Sequence, residues 1–270
     1  MYGDDLTGYD FLESIKTWMR QSRNEAWSLA EVLLARGRSG VGMAALFISH
    51  IQAQSLEETL NDVPDEVNLW LDYTTLRQCR DDFDPDRICS TIRYISKVHQ
   101  GTFAIVDEPT LSYLSRSFCI FEVACTEPTK LRIQVSQDTT QMVMDRTITI
   151  DAKKADARNK KHKGYVDGFI VGKWGGFAAF NKSVSEAFAA AHIQQLFVAR
   201  NKAAVAGLSR LQAHDSGTVR ERAVGALSML AEEGQIGGQR RPRSGTWPPR
   251  AGSGGPSGRP RAPRPASRGC

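Results

Sequence analysis

Cysteine is scarce in this chain and never paired: Cys79, Cys89, Cys119, Cys125 and Cys270 make an odd count with no CxxC spacing. That excludes a zinc knuckle and a disulfide scaffold, gives no expectation of a metal site, and fits a reducing, cytoplasmic compartment. No apolar run approaches the ~18–20 residues that a membrane span needs, so none is expected. The first residues, Met-Tyr-Gly-Asp-Asp, lack the basic start of a secretory signal and the arginines of a transit peptide. Cys270 is the last residue rather than the fourth from the end, which removes a prenylation signal. His50-Ile51-Gln52-Ala53, where a glycine-rich phosphate loop would follow a first strand, is no GxGxxG, and this argues against a dinucleotide oxidoreductase. Acidic residues are missing from 237–270, which holds eight Arg, seven Pro and eight Gly; without that stretch the formal charge falls from +5 to −3. The basic balance therefore belongs to the tail and does not imply a fold that grips nucleic acid.

What is present is the alternation of an α/β protein. The 270 residues leave room for one ordinary domain with appendages. In the first forty, Phe11, Ile15, Trp18, Ala26, Leu29 and Leu33 recur at helical spacing and predict one helix, with a polar break at Ser22 and a glycine-rich linker after it. Short apolar runs then predict strands at Met43–Ser49, Val67–Asp72, Thr102–Val106, Leu131–Val135 and Thr147–Ile150. Helices are expected near Ala53–Asn61, from Pro85 along Ile88, Ile92, Ile95 and Val98, and along Leu111, Leu114, Phe118, Phe121 and Cys125. A charged helix over Ala152–Lys163 and a last one along Phe177, Phe180, Val184, Phe188 and Ala191 complete the pattern. Continuous apolar strands alternating with helices predict a parallel sheet covered on both faces. The expected form is a flavodoxin-like, doubly wound sheet of about five strands in the order 2-1-3-4-5.

Residues 201–233 change character. Val205, Leu208 and Leu211 form one stripe and Val219, Ala223, Leu227 and Leu230 another, with a capping box Thr218-x-x-Glu221 between them. This pair resembles a single armadillo or HEAT repeat, which needs neighbours or a supporting domain to bury its face. The tail has too little apolar surface to offset chain entropy and is expected to be disordered, with RNA or acidic lipid as its only candidate partners. The expected organisation is a helix and linker over 1–42, an α/β domain over 43–194, the helical pair over 195–236 and the tail over 237–270.

In an open parallel sheet the ligand crevice lies at the carboxyl ends of the strands, beside the point where strand order reverses. The first strand ends in Phe47-Ile48-Ser49-His50, the second in Trp70-Leu71-Asp72-Tyr73 and the third in Val106-Asp107-Glu108-Pro109. The helix after the third carries Ser115-Arg116-Ser117-Phe118-Cys119-Ile120-Phe121-Glu122. Glu122 lies four residues after Phe118 and three before Cys125, on or next to the buried face, where a carboxylate either pairs with a base or does chemistry. Cys119 is read as packing rather than as a nucleophile, since no histidine partner is evident beyond His50. The run of Lys153, Lys154, Lys160, Lys161, His162 and Lys163 is read as a solvated face rather than a phosphate site. Trp174 is read as a plug at the start of the last helix.

These strand ends and this helix resemble Toll/interleukin receptor (TIR) domains, in particular the TIR-like proteins of algae and other protists. Ser-Arg-Ser-Phe-Cys-Ile-Phe-Glu is similar to the family's Ser-x-Trp-Cys-x-x-Glu signature, with Phe118 in place of the tryptophan. Phe47-Ile48-Ser49-His50 resembles the end of the family's first strand. Trp70-Leu71-Asp72-Tyr73 with Leu76-Arg77-Gln78 resembles the second strand and the mobile loop after it. The likeness covers about residues 43–193. It implies signalling in the cytoplasm by one of two routes. One is cleavage of NAD, as substrate rather than cofactor, at the nicotinamide–ribose bond with Glu122 as the catalytic carboxylate. The other is a non-catalytic module that self-associates, or recruits other TIR-like proteins, through a sheet edge and the Tyr73–Asp84 loop. A repeat-based binding scaffold is a third possibility. Ser49, His50, Asp72, Tyr73, Phe118 and Cys119 are expected to line the substrate pocket by position.

Overall fold

The computed structural model describes residues 6–239 apart from 62, 64, 65, 109, 136–141, 144, 147 and 148. Two helices stand where the periodicity suggested one. Helix α1 (Gly8–Gln21) starts at a capping box in which Thr7 accepts from the Asp10 amide and the Asp10 carboxylate accepts from the Thr7 amide. It stops at Ser22, whose hydroxyl turns back onto the Trp18 carbonyl. Helix α2 (Leu29–Ala35) then starts at a second box, Ser28 with Glu31. The signature Ser-x-x-Glu at 28–31 is itself a start signal, and it outweighs the apolar spacing that ran through it. Leu12, Ile15, Met19 and Val32 form the buried face, with Phe11, Trp18 and Leu29 packed at its margin.

Beyond them lie strands β1 (Leu46–Ser49), β2 (Leu69–Trp70), β3 (Thr102–Ile105) and β4 (Leu131–Gln134), all parallel, in the order β2-β1-β3-β4. This is the expected order for the first four strands. The chain leaves β1 toward β2 and returns to the other side of β1 as β3, so the reversal falls between β1 and β3. A fifth strand was expected at Thr147–Ile150, but the sheet has four strands among the described residues. Thr147 and Ile148 lie outside those residues, and Thr149 and Ile150 lie in a turn and loop closed by the Thr149 amide on the Arg146 carbonyl.

Side chains alternate across the sheet. Leu46, Ile48 and Ile105 pack with Val63 on one face. On the other, Phe47, Ala104, Leu131 and Ile133 meet α5 (Pro85–Val98), α6 (Ser117–Cys125), α7 (Lys160–Trp174) and α8 (Phe177–Ala199). Shorter helices, α3 (Leu56–Leu60) and α4 (Asp72–Thr75), follow β1 and β2. Asp84 caps α5, Pro85 fixes its first turn, and Ile88, Ile92 and Ile95 are buried while Val98 lies exposed. Gly101 after it has φ +92, and a Cβ there would sit 2.1 Å from the Lys130 carbonyl oxygen, so only glycine admits β4 beside β3. The charged helix expected over Ala152–Lys163 begins only at Lys160. Asn159 caps α7 by accepting from the Lys161 and His162 amides, and residues 151–157 form a loop that pairs through Asp156 with Arg116.

Helix α8 serves two cores. Phe180, Val184, Phe188 and Ala191 pack toward the sheet. Ala189 and Ile193 pack with α9 (Lys202–Leu211) and α10 (Gly217–Gln239) through Leu208, Leu211, Val219 and Ala223. Val205, expected in the first stripe, faces out, and Ala204 is buried instead. No helix among the described residues is long and apolar enough to cross a membrane.

Candidate active site

A cleft of about 780 Å³ opens at the carboxyl ends of β1 and β2, within the range of small-ligand sites. Its floor is buried: Ile48, His50, Cys119 and Phe121 meet there, joined by Trp70 stacked on Phe47 at 4.5 Å. Five of the seven residues expected at the site, His50, Asp72, Phe118, Cys119 and Glu122, line this one space. Ser49 lies just behind the floor. Tyr73 points the other way, fully buried among Leu12, Ile15 and Met19 under α1.

Glu122 keeps part of its surface toward the cleft. Ser49, on the sheet face that α6 covers, donates its hydroxyl to Glu122 Oε2 at 2.5 Å. Tyr113 shares a hydrogen bond with the same Ser49 oxygen; with Ser49 donating to the carboxylate, Tyr113 is the donor to Ser49. No lysine, arginine or histidine among the described residues forms an ion pair with Glu122. Burial pushes its carboxyl up to about 8, opposed by the Ser49 hydrogen bond and reinforced by the Asp72 charge. At neutral pH burial therefore favours the protonated carboxyl. Cys119 is buried, donates to the His50 carbonyl at 3.4 Å, and burial holds its thiol well above the usual range, so it supplies packing and not a thiolate.

His50 and Asp72 form the second polar element. The His50 side chain is 2% exposed, with Nε2 3.8 Å from Asp72 Oδ1. Among the described residues neither ring nitrogen has a hydrogen bond of ordinary geometry, and Asp72 Oδ1 lacks one too. Burial keeps His50 neutral by lowering its pKa against the pull of Asp72. Gln52 Nε2 donates to the other Asp72 oxygen, and Tyr73 meets the His50 ring edge-on at 4.8 Å. Both residues line the cleft, where the Asp72 side chain is 24% exposed.

Sequence reading missed Tyr113, Gln52, Phe83 and Arg158. Tyr113 is set by Asp107, whose carboxylate accepts from the Tyr113 amide at 2.7 Å and the Ser112 amide at 2.9 Å, with Leu111 at φ 53 turning the chain between them. An Asp at a strand end followed by a short polar turn is a weak signal that could have marked it. Phe83 bridges Phe118, edge-on at 5.3 Å, to His162, stacked at 4.6 Å, and nothing local announces such a chain of rings. Lys160, Lys161 and His162 stand at the cleft rim beside Arg158, whereas Lys163 pairs with Asp167 along the helix. Trp174 packs edge-on against Phe180 at 5.1 Å, at the entry to α8. No family model, curated protein or solved structure matches the chain.

Proposed function

We propose that the chain is a TIR-like signalling domain of flavodoxin-like form that cleaves the nicotinamide–ribose bond of NAD, with Glu122 as the catalytic carboxylate. The single observation behind this reading is the Glu122 carboxyl, desolvated in a cleft at the switch point, held by Ser49 and free of any ion-pair partner among the described residues. Nicotinamide departs as a neutral pyridine, so no general acid is needed. The reaction needs a fixed negative charge beside the ribose as its oxocarbenium character develops. A pyridinium ring in the cleft favours the ionised carboxyl for the same Coulombic reason, so the cationic substrate itself draws out the catalytic form. His50 and Asp72 offer hydrogen bonds to ribose hydroxyls, while Trp70 and Phe118 offer faces and edges to the ring.

The test is nicotinamide release from NAD by the purified full chain and by Glu122→Gln. Release by the wild type with a fall of at least about a hundredfold in the variant supports the hydrolase. Equal background from both proteins, together with concentration-dependent self-association, overturns it in favour of an adaptor.

A further inference from the structure

Glu122 and Asp72 are half-buried in the cleft, and the exposed residues of its rim carry both signs, Arg80, Arg158, Lys160 and Lys161 with Asp81 and Asp82, while Arg116 lies half-buried beside them. Over the whole lining, seven lysine and arginine side chains face four carboxyl groups. Several of these cations are already engaged: Arg77 with Glu31 at 2.7 Å, Arg116 with Asp156 at 3.4 Å, Lys160 with Asp156 and Lys161 with Asp81. Arg80 and Arg158 have no ion pair among the described residues. Arg158 is held in place all the same, its guanidinium 4.5 Å above the Tyr9 ring on α1. The start of α7 is not what offers a site here, because Asn159 already occupies the Lys161 and His162 amides. Further into the same cleft, His50, Asp72 and Glu122 all belong to its lining.

We propose that the rim is a phosphate subsite in which Arg158 and Arg80 receive the phosphates of a nucleotide whose sugar and base-bearing end lies over His50, Asp72 and Glu122. A guanidinium presents paired N–H donors matched to phosphate oxygens, and Arg158 is pre-oriented by its aromatic platform, so little is lost in ordering it. The ligand class is a phosphorylated nucleotide carrying a ring at its inner end, and a free nucleoside is discriminated against. This rests on the reading of Glu122 as the group that receives the pyridinium end.

The test is calorimetric titration of the full-length wild type with ADP-ribose, which lacks the scissile bond, and with adenosine, which lacks phosphate. The same titrations are run on the double variant Arg80→Gln/Arg158→Gln. ADP-ribose is expected to bind at least about tenfold tighter than adenosine, with an affinity that falls as salt rises. The double variant is expected to lose about tenfold or more for ADP-ribose and to leave adenosine unchanged, the retained adenosine binding showing that the variant is folded. Equal binding of the two ligands, binding of neither, or equal loss of both in the variant overturns the subsite. The two readings fail separately. Nicotinamide release with ADP-ribose binding that ignores both arginines sinks the subsite and leaves the hydrolase. Arginine-dependent ADP-ribose binding without nicotinamide release sinks the hydrolase and leaves the subsite.

Discussion

At the scale of single residues, the balance on Glu122 is between burial and one hydrogen bond. Burial favours the neutral acid and the Ser49 hydroxyl favours the carboxylate; burial wins, leaving the group at about 8. Because the charged form is the catalytic one, kcat/KM for nicotinamide release is expected to rise with pH and level off above about 8. Ser49→Ala removes the donor at 2.5 Å, and the pH profile is expected to move up by about one pH unit. A profile that stays put in Ser49→Ala, or one that falls through pH 8, is inconsistent with a working Glu122 carboxylate. Binding of a cationic pyridinium nucleotide near pH 7 should also release a proton, seen as a buffer-dependent heat in calorimetry that vanishes in Glu122→Gln. The glutamate itself was legible from its helical position between Phe118 and Cys125. Its protonation was not, because it depends on burial in the assembled fold, set against a hydrogen bond from Ser49, which lies seventy-three residues away in sequence.

At the scale of elements, the periodic helices were the most legible. In α5 the steps of four and three placed Ile88, Ile92 and Ile95 against the sheet, and the capped start at Asp84-Pro85 fixed its entry. Ile92 has no exposed surface, so Ile92→Ala is expected to cost about 2–5 kcal/mol through lost burial and the cavity left behind. Urea denaturation should show this as a lower midpoint at unchanged slope. The elements that went astray are those whose ends are set by a side chain folding back on its own backbone. Ser22 and the Ser28–Glu31 box divided one expected helix into α1 and α2, and Asn159 postponed a charged helix to Lys160. The second box has a distant consequence, for Glu31 also receives Arg77, two hydrogen bonds that tie the loop after β2 to α2 beside the cleft. Ser28→Ala is therefore expected to cost about 1 kcal/mol at the cap, and to loosen that loop as faster amide exchange around Arg77–Arg80.

At the scale of the whole molecule, the buried titratable groups shape stability against pH from both sides. Glu122 is raised from 4.5 to about 8, so the folded state holds a proton that the unfolded chain gives up. Its contribution is fully present below pH ~4.5 and is lost as pH rises through about 8, on the order of a few kcal/mol. His192, lowered by burial to about 4, and His50, lowered in the same direction, act oppositely. They favour the fold above pH ~6.5 and cost stability as pH falls below it. Melting temperature should therefore peak in the weakly acidic to neutral range. In Glu122→Gln the decline between pH 6.5 and 8.5 should flatten, and the rise from pH 4.5 to 6.5 should steepen. An alkaline arm that persists in the variant would place the lost proton on another group. The molecule also distributes its apolar surface unevenly. One long helix, α8, closes the sheet and at the same time gives α9 and α10 a face to pack on.

From the sequence alone came the strand-and-helix alternation, the order of the four strands, and the gathering of β1, β2 and α6 residues at one crevice. These follow from local periodicity, capping residues and the chirality of parallel crossovers, all of which are written in neighbouring residues. Only the tertiary structure decided which of those residues face the cleft. Tyr73, adjacent to Asp72, turns into the α1–α2 core because α1 lays an apolar face over it, with no room for a Cβ at Gly8 beside its hydroxyl. It likewise took the assembled fold to bring Arg158 and Tyr113 to the site, because burial, charge pairing and the supports behind a catalytic group are properties of the space between elements and have no local spacing.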